Sequence, residues 1–238
     1  IISFLEKIEI YRYKDADLII PVTNAFKDNL IKRGIDPSKI YPITNGVNSK
    51  MFYFKEKNQV LTTELNLRHK FVVGYIGTHG IAHGLDFIIK SIRDIKDTSI
   101  HFLFVGDGSE KKNIKALVHK YNLKNVTFID TVSEEEVVEY ISVCDVSLVC
   151  LKRNDTFKSV IPSKMFNMAA VGRPILLGVE GESKDILTKY NAGLSFIPEN
   201  KENFISQLLE LKNNKELYSS TKKGCRVLAK EFDREKLA

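Results

Sequence analysis

The chain has 238 residues, 43% of them hydrophobic, enough for one large or two modest domains with a real core. Its 36 basic and 30 acidic side chains leave a net charge of +6 without a basic block, which fits a solvated surface, a small anionic ligand or an anionic membrane face rather than nucleic acid. No apolar run reaches the roughly 18 residues of a membrane span, and Cys144, Cys150 and Cys225 are unclustered, which argues for reduced core thiols in the cytosol and against a disulfide frame or zinc.

Residues 1–14 have helical spacing, with Phe4, Leu5, Ile8 and Tyr11 on one side. With no initiator methionine, the opening reads as cut from something longer. Residues 17–22 read as a strand. Thr23 is placed to cap a helix over 25–33, which Gly34 stops. Residues 39–43 make a second short strand, ended by the turn signal Asn45-Gly46. Asp15-Ala16-Asp17 has the spacing of a metal-bound nucleotide-sugar motif, but it precedes its strand and reads as a helix end. Residues 48–67 are polar and unpatterned, as in a linker.

From Phe71 the rhythm is regular. Strands are predicted at 71–76, 101–105, 125–129, 145–150, 174–178 and 194–197. Helices are predicted near 84–96, 109–121, 134–143, 163–171, 183–190, 201–212 and 215–232. Apolar strands alternating with helices imply right-handed crossovers and an α/β fold. The expected architecture is a Rossmann-like parallel sheet with helices on both faces, binding ligands beyond the carboxyl ends of its strands. The first 46 residues, two short strands and two helices, form a small truncated α/β segment that cannot bury a core alone.

Three stretches carry the chemistry. In "GYIGTHGIAHGLDFIIKSI", Gly77, Gly80 and Gly84 do not match GxGxxG, yet glycines let backbone N–H groups approach a diphosphate ahead of a helix. The alternative is a tight βα turn without a ligand. His79 and His83 are four apart, but the glycines argue against helix between them and no third ligand is near, which disfavours a metal. Their imidazoles either donate to phosphate oxygens or belong to a merely polar loop. In "VIPSKMFNMAAVGRPILLGVEGES", Pro162 suits a helix start, and Gly172 and Pro174 suit its end. Lys164 sits in the first turn, against the helix dipole, a placement easier to justify with an anion beside it. Asn167 shares its face, so the pair could serve a diphosphate and ribose hydroxyls, or be an exposed lysine and a surface asparagine. Met165, Phe166, Met168 and Ala169 read as core. In "FVGDGSEKKNIKAL", Asp107 shapes the turn.

These stretches, with "DADLIIPVT", "GIDPSKIYPITNGVN" and "NVTFIDTVSEEEVVEYISVCDVSLVCL", occur in the order of one family. The chain resembles the retaining glycosyltransferases of family four, whose GT-B fold has two facing Rossmann-like domains. THGIAHGL followed by IPSK looks closest to bacterial transferases of O-antigen and capsule synthesis, of the N-acetylfucosamine transferase kind. The resemblance implies that 1–47 is the tail of an acceptor domain, 48–67 a linker and 68–238 the nucleotide-sugar domain. Gly77, Thr78, His79 and Gly80 would meet the donor diphosphate, with Lys158 and Lys164 adding charge. Asn167 would meet the ribose, and Ile129, Asp130 and Val132 would border the base, through backbone groups. No catalytic residue is assigned, and neither metal nor other cofactor is expected. Thr78 and His83 stand where many members have Arg and Lys, and about Ser159 and Asn167 where they have paired glutamates.

The resemblance implies a UDP-sugar donor, a lipid-linked or saccharide acceptor, and no nucleic-acid partner. The expected setting is the cytoplasm, with peripheral contact at the inner face of the membrane. The full-length enzyme would transfer a hexosyl or N-acetylhexosaminyl group with retention, while the present chain would bind donor without transferring it. Two alternatives differ in class. A sugar-nucleotide epimerase of similar fold would need a pair of acid and base carboxylates, for which the sequence offers no convincing candidates. A non-catalytic nucleotide-binding or scaffold domain would need none.

Overall fold

A computed structural model describes residues 2–237. Its centre is one sheet of β1 (Phe71–Ile76), β2 (Ile100–Val105), β3 (Val126–Ile129), β4 (Val146–Cys150), β5 (Ile175–Gly178) and β6 (Gly193–Ser195). The strand order is β3-β2-β1-β4-β5-β6, and every neighbouring pair is parallel. Between the strands run α4 (Leu85–Ile92), α5 (Lys111–Lys120), α6 (Glu134–Val143), α7 (Lys164–Ala170) and α8 (Glu182–Lys189). After β6 come α9 (Lys201–Asn213), α10 (Lys215–Glu231) and the short α11 (Arg234–Leu237).

The helices divide the core between the two faces. On one face Leu103, Val105, Val149 and Leu177 meet Ile141 and Val143 of α6, Met165 and Phe166 of α7, and Leu228 of α10. On the other, Val73, Phe102, Phe104 and Leu176 meet Ile88 and Ile89 of α4, Ile114 of α5, and Phe204 and Leu208 of α9. The two-sided packing explains why the strands read as unbroken apolar runs. A Cβ on Gly74 would lie 2.1 Å from Cys144 Sγ, so the middle of β1 has no room for a side chain. All three thiols are free and buried, and burial pushes Cys144 and Cys150 up to about 12.

The chain leaves β1 towards β2 and β3, then crosses back to β4, β5 and β6. The reversal puts a switch point between β1 and β4, where an open α/β sheet has its ligand crevice.

The expected elements after Phe71 are all present. The helix predicted over 84–96 is shorter, ending at Ile92, beyond which turn bonds from Asp94 to Ser91 and from Ile95 to Ile92 lead towards β2.

The opening segment differs more. α1 (Ile2–Asp15) and α2 (Asn24–Lys32) form, and Thr23 Oγ1 caps α2 by accepting from Phe26 N at 3.1 Å. The two expected strands reduce to a single parallel bridge, Ile19 with Ile40. Pro21 has no N–H to donate to the Tyr41 carbonyl, so the ladder stops there, although Ile43 N–H still donates to the Pro21 carbonyl at 3.0 Å. Ile19, Leu30, Ile35 and Ile40 make a small cluster of their own. Phe4, Leu5, Ile8 and Tyr11 are exposed along α1. The segment meets the sheet domain at Glu182, whose carboxylate accepts from Asn24 Nδ2 at 2.9 Å and from the backbone N–H groups of Asn24 and Ala25 at 3.3 Å each.

Residues 48–67 are more ordered than their composition suggests. They contain α3 (Gln59–Glu64), capped by Asn58. Lys55 pairs with Glu139, and Lys57 with Asp145 at 2.8 Å. The buried Arg173 donates to the Lys55 carbonyl at 2.7 Å. Among the described residues no helix is long and apolar enough to cross a membrane.

Candidate functional site

The loops that follow β1, β2 and β3 interlock at the carboxyl end of the sheet. Gly77 N–H donates to the carbonyl of Val105 at 2.9 Å, and Gly106 N–H to Ile129 at 3.2 Å. His79 N–H donates to the carbonyl of Asp107 at 2.7 Å, and Glu110 N–H returns to the carbonyl of His79 at 2.9 Å. Gly106 has φ +128°, and a Cβ there would stand 2.2 Å from the Gly77 carbonyl oxygen. Only glycine permits that approach. Lys111 binds the turn from beneath. Its Nζ, on a side chain 7% exposed, donates to the carbonyls of Gly106 at 2.6 Å and Ile129 at 3.4 Å and to Asp130 Oδ1 at 2.6 Å.

Beside these loops opens a cavity of about 680 Å3, the size of a cofactor or drug-like ligand. Gly77, Thr78, Gly106 and Asp107 form one wall, Lys164, Asn167 and Met168 of α7 another. Thr131, Val132, Glu134, Val137 and Ile141 give an apolar third side with one carboxylate. Asn48, Met51, Phe52 and Arg234 complete the rim from the two ends of the domain. A bridge between Val47 and Asp233 joins those ends, and Arg234 Nε donates to the Gly46 carbonyl at 3.0 Å.

The half-buried Lys164 is the cation of this cavity nearest the glycine loop. A Cβ on Gly77 would meet its Nζ at 3.0 Å. The ammonium donates to the hydroxyl of Tyr75 at 3.0 Å and lies 4.1 Å from the centroid of that ring. No carboxylate among the described residues offsets it, and burial pushes it down to about 8. A cation poorly solvated and without a counter-charge favours an anion in the adjoining space.

The structure brings together Gly77, Thr78, Lys164, Asn167 and Val132 of the residues singled out from sequence. It places others differently. The His79 ring is fully buried between Tyr75 and Phe104, and neither of its nitrogens has a partner. Burial, reinforced by Lys111 and Lys164, holds it down to about 4, so it is neutral. Its backbone rather than its imidazole meets the neighbouring turn, and donation from that ring to a phosphate in the cavity is ruled out in this arrangement. Gly80 lies beyond the cavity wall. Lys158 is exposed and paired with Asp155 at 2.8 Å, on another side of the domain edge. Ile129 and Asp130 stand behind Thr131, with Asp130 held by Lys111, which lowers its carboxyl below the usual range. Asp107 Oδ1 accepts from Gly108 N–H at 2.7 Å, the turn-shaping role expected of it.

The sequence pattern of the family described as glycosyl transferases group 1 matches residues 61–226, more than two thirds of the chain. The chain belongs to this family. As a group 1 glycosyl transferase domain it is 24% identical, over 169 residues, to WcaI of Escherichia coli (strain K12), which bears the name of a colanic acid biosynthesis glycosyl transferase. That alignment covers 70% of this chain and 41% of WcaI. It is 26% identical over 138 residues to TuaH of Bacillus subtilis (strain 168), named for teichuronic acid biosynthesis, covering 58% of this chain and 34% of TuaH. The chain therefore spans less than half the length of these relatives.

Among solved structures, HepE of Anabaena in complex with UDP and glucose superposes with a TM-score of 0.82 at 14% identity. The match covers 97% of this chain and 64% of HepE, which gives the domain the α/β architecture of GT-B glycosyltransferases. The group 1 match includes the cavity walls from Ile76 to Met168 and omits Asn48, Met51, Phe52 and Arg234 at the rim. Those four, with Tyr75 and Lys111, are not marked by the sequence pattern: Lys111 has one local signal, its place just after the Gly106–Gly108 turn, and the rim residues carry none.

Proposed function

We propose that this chain is the donor half of a bacterial glycosyltransferase and binds a UDP-sugar in the cavity beside Gly77 and Lys164. The observation that carries the reading is the Lys164 ammonium, set against a glycine loop with no counter-charge. Lys164 and the Thr78 N–H face the diphosphate, with Gly77 lining the wall beside them while its own N–H stays on Val105. Asn167 faces the ribose, and Thr131 and Val132 the base. The UDP bound to HepE and the shared architecture support this assignment. Metal independence follows if Lys164 supplies the charge that stabilises the departing diphosphate.

On the same reading, 1–47 is the tail of an acceptor domain, 48–67 the connection and 68–238 the donor domain. Transfer needs an acceptor hydroxyl held against the anomeric carbon, and such positioning supplies roughly 7–11 kcal/mol of the barrier. The full protein transfers a hexosyl or N-acetylhexosaminyl group with retention to a saccharide or lipid-linked acceptor at the inner face of the membrane. The names of WcaI and TuaH support surface polysaccharide as the product. O-antigen or capsule, with an N-acetylfucosamine-type donor, is the narrower form of the proposal.

Calorimetric titration with UDP, ADP and GDP in EDTA tests the reading. UDP should bind with the highest affinity and without added metal. Preference for ADP, or UDP binding that returns only with manganese, would contradict it.

A further inference from the structure

Lys164 reaches the glycine loop from a helix nearly ninety positions further along the chain, and a phenol holds its charge there. Tyr75 is 1% exposed in the middle of the sheet. Its hydroxyl donates to the carbonyl of Thr78 at 2.7 Å and accepts from Lys164 Nζ at 3.0 Å. A phenol that has given its single proton to Thr78 has only lone pairs left, so the bond to the ammonium runs one way. Of the three ammonium hydrogens, one goes to Tyr75, leaving two for a ligand. The Tyr75 ring is flanked by His79 at 5.7 Å, His83 at 5.9 Å and Phe104 at 6.1 Å, so it has little freedom to swing.

The other titratable groups around the ammonium do not compete for it. His79 and His83 are kept neutral chiefly by burial, and Cys150, its thiol pushed up to about 12, donates to the carbonyl of His83 at 3.2 Å. Lys111 and Asp107 act on His79 from the adjoining turn. A phenylalanine would fill the same space in the sheet. The hydroxyl adds a connection between Thr78, at the lip of the cavity, and Lys164, on its opposite wall.

We propose that Tyr75 is a positioning residue for the donor diphosphate, its hydroxyl fixing the Thr78 carbonyl and the Lys164 ammonium as one unit. This inference rests on the reading of Lys164 as the diphosphate partner. Tyr75 touches no ligand itself. It sets where the charge stands and keeps the ammonium protonated by accepting from it.

The test is calorimetry of UDP with the wild type, Tyr75→Phe, Lys164→Met and the double variant, from about pH 6.5 to about pH 9.5. Tyr75→Phe should weaken UDP roughly three- to tenfold at neutral pH. Its binding should also fade at lower pH than in the wild type, because the ammonium has lost an acceptor. In the Lys164→Met background the same change should matter less than about twofold. An equal loss in that background, or an unmoved pH midpoint, would overturn the role of Tyr75 while leaving Lys164 in place. Unweakened binding by Lys164→Met, or no binding by the wild type, would instead overturn the reading beneath it. If Tyr75→Phe does not fold, carbon NMR of the wild type decides. The Tyr75 Cζ signal should follow the Lys164 Cε titration near pH 8, and a Tyr75 signal indifferent to it would refute the proposal.

Discussion

Replacing Lys164 by methionine should make the unliganded protein more stable while impairing it. The ammonium titrates at about 8 instead of the 10.5 of free lysine, because burial opposes the charge. At about 1.4 kcal/mol per pH unit of displacement, holding that charge at neutral pH costs the fold about 3 kcal/mol. The contact with the Tyr75 ring returns part of this, so the expected net gain is about 1–3 kcal/mol. For a chain of this size that raises Tm by about 2–12 °C.

The sign with pH follows from proton binding. Below pH 8 the lysine is charged in both states and the cost is present in full. Between 8 and 10.5 the unfolded chain keeps a proton that the folded one sheds, so the wild type gains stability as pH rises. The advantage of Lys164→Met should therefore be greatest at neutral pH and disappear by about pH 10.5. UDP affinity should fall about 10- to 150-fold, the worth of a hydrogen bond to a charged group. Urea melts across this pH range, with calorimetry, measure both quantities. A variant less stable than wild type at neutral pH, or a gain that grows with pH, would refute the reasoning.

Lys111→Met should lose about 2–4 kcal/mol in urea melts, because the carbonyls of Gly106 and Ile129 lose a buried donor. It should also weaken UDP as the loops separate; wild-type melts would show the clamp to be unimportant. Lys158→Ala should leave UDP affinity within about twofold, since an exposed pair such as Lys158 with Asp155 contributes little, and a tenfold loss would return Lys158 to the site. Asn167→Glu should tighten UDP by about three- to tenfold, as a carboxylate accepts from both ribose hydroxyls more strongly than an amide. Unchanged or weaker affinity in that variant would remove Asn167 from the ribose.

The sheet was legible because each strand is a short apolar run and each crossover an amphipathic helix, signals that lie within a few residues of one another. Gly77 and Lys164 were legible for the same reason: a glycine after a strand and a lysine early in a helix are local anomalies. The rest depends on distant partners. The polar stretch 48–67 gives no periodicity, yet Lys55 and Lys57 find Glu139 and Asp145 on the domain surface. Asn48 and Arg234 share a rim because the two ends of the sheet domain are bridged at Val47 and Asp233. The strand patterns near Ile19 and Ile40 were real, but Pro21, which lacks the next N–H, limits them to one bridge. The direction of the His79 ring could not be read from a loop whose turn depends on Asp107 and Glu110.

The central claim is a location, and a crystal structure of the chain grown with UDP in EDTA tests it most directly. The account predicts a diphosphate oxygen within hydrogen-bonding distance of Lys164 Nζ and the Thr78 N–H, against Gly77, with the ribose against Asn167. UDP seated beside Lys158, or bound with Lys164 still facing an empty cavity, would contradict it.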